Sequence, residues 1–115
     1  MQYDAAHTLA RAIRESEEYQ TYHELKERVM ANETNAALIR EYKKLQVSLQ
    51  MAAVSGASPD PEDVQRFQGI NTVLFAQQEV AQYLLAEMRL TQAMADIFRI
   101  ITDAAELDMG FPGGA

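Results

Sequence analysis

The 115-residue chain has the length of one domain, and its 48% hydrophobic and 23% charged residues supply enough apolar material for a folded core. It has no cysteine, which excludes disulfides, thiolate zinc sites, thiolate-held iron–sulfur clusters and a cysteine nucleophile. The net charge of -7 is unevenly spread: eight acids face seven bases up to Val54, whereas nine face three from Ser55 onward. That field opposes phosphate backbones and suits a basic partner surface.

In chain order, Asp4 is expected to cap a first short helix, in which Ala6, Leu9, Ala10 and Ile13 recur at the spacing of one helical face. Ser16 caps a second, because Glu17 and Glu18 then lie in the first turn, where the helix dipole favours negative charge. Tyr22, Leu25 and Val29 form its stripe, with Glu24 and Arg28 as an outer i, i+4 pair. Asn32 starts a third helix running from about Glu33 to Val54, about 33 Å at 1.5 Å per residue. Its Leu38, Tyr42, Leu45, Leu49 and Ala52 make a heptad-like seam that calls for an antiparallel partner.

The stretch Ser55-Gly56-Ala57-Ser58-Pro59-Asp60-Pro61 cannot continue a helix and reads as a hairpin tip. Asp60 as cap, Pro61 at the first helical position and Asp63 three residues past the cap then start the return. From Glu62 to about Leu107 the helical period persists, with Val73, Val80, Leu84, Met88, Ala95, Phe98, Ile101 and Ala105 near one line. A kink or restart is expected near Gly69 to Asn71. Between Met94 and Ile101 apolar residues spill over more than one face, which calls for burial on several sides. The fold class is therefore all-α, a helical bundle with a long antiparallel hairpin: one domain over residues 1–109, followed by a Gly- and Pro-rich flexible tail at 110–115.

Catalytic signals are sparse. His23-Glu24-Leu25-Lys26-Glu27 matches the first two positions of a metallopeptidase helix motif but lacks its second histidine, so His23 and Glu27 read as a surface pair. His7 reads as an ordinary helix residue, Glu17 with Glu18 as helix-start electrostatics, and Met88 with Met94 as core filling. No phosphate loop or nucleophile elbow is present. Arg40, Lys43 and Lys44 form the one basic cluster, a solvated helix face or, as the alternative, an RNA contact. No stretch approaches the ~20 apolar residues of a membrane span, and the first residues lack a basic-then-apolar leader, so the expected location is the cytoplasm.

Tyr3-Asp4-Ala5-Ala6-His7, Ser16-Glu17-Glu18-Tyr19, the Asn32-Glu33 restart and Glu41-Tyr42-Lys43-Lys44-Leu45-Gln46 together resemble the YlbF/YmcA family, which includes the YheA-type proteins. The likeness runs from Tyr3 to Asp108 and rests on helix boundaries and patterned positions. It implies a small helical protein of Gram-positive bacteria with a long hairpin and a tendency to dimerise. It also implies an accessory regulator, like the relatives linked to competence, sporulation and biofilm development through a complex that influences messenger-RNA processing. Those relatives carry cysteines able to ligate iron–sulfur clusters; this chain has none, which points to the YheA-like branch and to a protein without a cofactor.

The resulting expectation is a non-enzymatic, homodimeric regulatory or adaptor protein acting through protein contacts. An RNA-contacting factor using Arg40, Lys43 and Lys44 is the second reading, and metal-assisted hydrolysis around His23 and Glu27 the third. Leu38, Tyr42, Leu45 and Leu49 are assigned to the hairpin seam, and Leu84, Met88, Phe98 and Ile101 to the core or to a dimer or partner contact. A small elongated chain buries too little of itself for comfortable stability, so a dimer contact would add folding energy directly.

Overall fold

The computed structural model describes residues 1–108 as five α-helices: α1 (Asp4–Arg14), α2 (Glu17–Met30), α3 (Glu33–Ser55), α4 (Pro61–Phe75) and α5 (Gln78–Ala105). The expected tail at 110–115 lies outside the described residues.

Caps explain most of the boundaries. The Ser16 hydroxyl accepts from the Tyr19 amide at 3.2 Å, and the Asn32 side chain accepts from the Asn35 amide at 3.0 Å. Each satisfies an amide that its helix leaves without a partner. Asp4 does not cap α1. It is the first helical residue, with Tyr3 at the cap position making no side-chain bond, so its carboxylate acts only on the dipole of the first turn.

The hairpin tip is built as its residues dictate. Gly56 takes the left-handed conformation (φ 76°), and the Ala57 amide reaches back to the Ala52 carbonyl at 3.0 Å, the bond that closes a Schellman cap. Asp60 then accepts from the Glu62 amide at 2.9 Å, with Pro61 at the helix start. Because a side chain at φ 76° is strained even with open space around it, Gly56→Ala is expected to lower stability by about 1 kcal/mol. A urea midpoint equal to that of the parent would contradict this.

The register of α3 against α4 follows from three contacts. Tyr42 stacks on Phe67 with ring centroids 4.8 Å apart, Glu41 pairs with Arg66, and Asn35 meets Gln77 just past the end of α4. Asn35 near the start of α3 meets Gln77, whereas Glu41 and Tyr42 further along meet Arg66 and Phe67, so the arms are antiparallel.

Gly69 and Asn71 do not interrupt the return arm. Both are helical within α4, and the break falls at Ala76 and Gln77. Ala76 itself stays close to helical geometry (φ -71°, ψ -19°), and no Gly or Pro marks the place. A tertiary contact is what occupies it: the Gln77 and Asn35 amides exchange two hydrogen bonds, at 3.0 and 2.9 Å. The single apolar line expected from Val73 to Ala105 is divided by this break, and Val73 is exposed on α4.

Two compact units result. Among the described residues, one comprises 25–83 and the other 1–24 together with 84–108. The first holds most of the fully enclosed side chains: Val29, Ile39, Leu74, Val80 and Tyr83 are each no more than 3% exposed. Ile39, rather than the neighbouring Leu38, is the deepest residue of α3, while Leu38, Tyr42, Leu45 and Leu49 are half-buried. The second unit contributes the buried Leu84 and Ala86. Its α1 has no buried residue at all, only the half-buried Leu9 and Ile13.

Candidate partner-binding site

An amphipathic helix with nothing buried leaves its stripe to line a cavity. In the second unit Ala6, Leu9, Ala10 and Ile13 of α1 form one wall, and Thr91, Met94, Ala95, Ile97, Phe98 and Ile101 of α5 the other. They bound a groove of about 450 Å³. Thr91 is the one polar residue among these lining positions. The groove offers no polar cluster to bind or activate a small substrate, and its apolar walls fit a hydrophobic side chain or helix face.

On the far flank of the α1–α5 contact, a smaller cavity of about 210 Å³ shares Leu9, Ile13, Met94 and Ile97 with the main groove. The pairing of α1 with α5 therefore leaves openings on both sides of a narrow contact. Of the α5 residues singled out by sequence, Phe98 and Ile101 line the groove, Leu84 is buried, and Met88 stands 62% exposed. The sequence had marked both the α1 stripe and the apolar excess at Met94 to Ile101. What it could not show is that stretches some 80 residues apart face each other, because α1 gives no sign of which later helix receives it.

A second apolar feature lies on α3. Val47, Met51 and Val54 are exposed and recur at i, i+4, i+7, on the side of the helix opposite Leu45 and Leu49 at 100° per residue. The periodicity of the seam hid this second stripe.

The basic cluster is partly absorbed into the fold. The Lys43 ammonium lies 3.5 Å from the Tyr83 hydroxyl and 5.8 Å from its ring centroid, within cation–π range, whereas Arg40 and Lys44 are exposed. His23 stacks on Tyr19 with centroids 5.6 Å apart. Among the described residues no three His, Asp or Glu side chains gather as a metal site, and no helix is long and apolar enough to cross a membrane.

Comparison with known proteins fits this architecture. The chain is 32% identical over 105 residues to a UPF0342 protein of Halothermothrix orenii, covering 91% of this chain and 89% of that one. It is 31% identical over 109 residues to a UPF0342 protein of Symbiobacterium thermophilum, covering 95% and 97%. The fold is shared with a solved structure described as a protein of unknown function (DUF964) from Bacillus stearothermophilus, at TM-score 0.71 and 22% identity, over 96% of this chain and 97% of that one. The family described as control of competence regulator ComK, YlbF/YmcA, matches residues 2–106. By that match, which takes in all five helices, the chain belongs to the YlbF/YmcA family, whose description is one of regulatory control.

Proposed function

We propose that this protein is a non-enzymatic adaptor that works by binding other proteins in the cytoplasm, as a homodimer and as one domain. The observation that carries this reading is the α1–α5 groove, a solvent-open apolar channel whose lining holds no titratable side chain and a single hydroxyl, that of Thr91. The family's regulatory description supports it, and the processes in view are competence, sporulation, biofilm development and messenger-RNA processing. One domain is favoured because α2 and α5 each supply residues to both units, so the units are joined through unbroken helices.

For self-association the Val47, Met51 and Val54 stripe is the fitting surface. It belongs to a unit with seven acids against six bases, so two copies can meet there with little repulsion. Sedimentation over a dilution series should show a dimer for the parent and a monomer for Met51→Glu. A fully helical parent that is monomeric at every concentration would remove the dimer. For the adaptor role, the chain immobilised as bait in lysate of its own host should retain specific proteins that an Ile101→Glu bait does not. If both baits retain the same proteins, or none, the adaptor reading through this groove fails.

A further inference from the structure

We propose that the occupant of the α1–α5 groove is an amphipathic helix of another protein, apolar on one face and rich in Lys and Arg along its flanks. This rests on the adaptor reading above and specifies the chemistry of its partner.

The size of the groove sets the first requirement. The α5 wall runs from Thr91 to Ile101 and the α1 wall from Ala6 to Ile13, so the two-walled part of the channel is about 10 Å long, two helical turns. Leu9 and Ile13 on one side and Met94, Phe98 and Ile101 on the other leave an almost wholly apolar slot. Such a slot takes anchors spaced i, i+3 or i+4 and i+7 along a guest helix. An extended peptide would bring unpaired backbone amides and carbonyls against walls with nothing to bond them.

Charge sets the second. The unit that carries the groove holds ten carboxylates against four arginines and has no lysine, so six of the seven net negative charges reside there. A guest with basic flanks is drawn to that field, and its association is accelerated by it. The same field disfavours the other occupants. A second copy of this unit would set -6 against -6 at contact distances where salt screening is incomplete. Anionic lipid headgroups and nucleic-acid phosphates are repelled for the same reason.

The probe is a labelled synthetic helix of about 18 residues with leucines at i, i+3, i+4 and i+7 and lysines elsewhere, titrated with the full chain by fluorescence anisotropy. Its control is the same peptide with every lysine replaced by glutamate. The lysine peptide should bind at least about ten-fold more tightly than the control and weaken as salt is raised. Met94→Glu and Ile101→Glu alter side chains that are 45% and 51% exposed, so both variants should keep the parent's circular dichroism and lose about ten-fold or more in affinity. Val73→Glu, at a side chain 49% exposed in the other unit and outside both the groove and the α3 stripe, should bind as the parent does.

Equal binding of the two peptides overturns the inference, as does parent-like binding by both groove variants. Dissociation of a parent dimer by Ile101→Glu would also overturn it, by showing that a second copy fills the groove. Retention of host proteins that differ between the baits, together with equal peptide binding, would leave the adaptor reading standing and remove only the basic helix. Peptide binding as expected with no host protein retained would do the reverse.

Discussion

Leu74→Ala is expected to be among the most damaging single substitutions in the protein, lowering stability by about 3–4 kcal/mol. Leu74 is fully enclosed at 0% exposure, and truncation removes both its transfer free energy and the contacts around the cavity left behind. A domain of this size has about 5–15 kcal/mol in total, so the loss is a large share of it. The adjacent Val73 is 49% exposed on the same helix, and Val73→Ala should cost less than about 1 kcal/mol. Urea titration of the pair therefore tests the rotation of α4 as well as its burial. Similar midpoints for the two variants would mean that the helix presents a different face to the core.

The second large effect belongs to Asn35 and Gln77. Asn35 is only 9% exposed, and its amide both donates to and accepts from that of Gln77. Removing either partner strands a donor and an acceptor together, so Asn35→Ala should cost about 1–3 kcal/mol. Gln77→Ala should cost the more of the two, because it strands the amide of buried Asn35, whereas Asn35→Ala strands the half-exposed Gln77, which water can reach. The double variant should cost less than the sum of the singles, with a coupling of about 1 kcal/mol in the mutant cycle. Replacing both by leucine should recover most of the loss, since no polar group is then left without a partner. Strict additivity of the two alanine variants would show that the pair contributes no mutual energy.

These two sites also show what was legible in the sequence. The ends of α3 and the start of α4 were, because Asn32, Gly56 and the Asp60-Pro61 pair act through local bonds that residue type alone specifies. The break at Ala76 and Gln77 was not, since it depends on a partner 42 residues away, while the glycine that did attract attention at position 69 sits in an unbroken helix. Heptad counting found the half-buried flank of α3 but passed over Ile39, which is 1% exposed. The groove is half visible in the sequence: Leu9 and Ile13 share a stripe and Phe98 and Ile101 lie in an apolar excess, yet only the folded chain sets them opposite each other.

The hairpin is pinned at both ends, by the Gly56 to Pro61 turn at its tip and by the Asn35–Gln77 amide pair at its mouth. Between those pins the number of residues on each arm is tied to that on the other. A single inserted residue in either arm would rotate everything beyond it by about 100° and carry the amides apart. Length variation in this part of the molecule is then constrained to matched additions on both arms, of about seven residues at a time, which preserve facing and register. The loop between Gly56 and Asp60, which carries no such bookkeeping, is where unmatched insertions can accumulate.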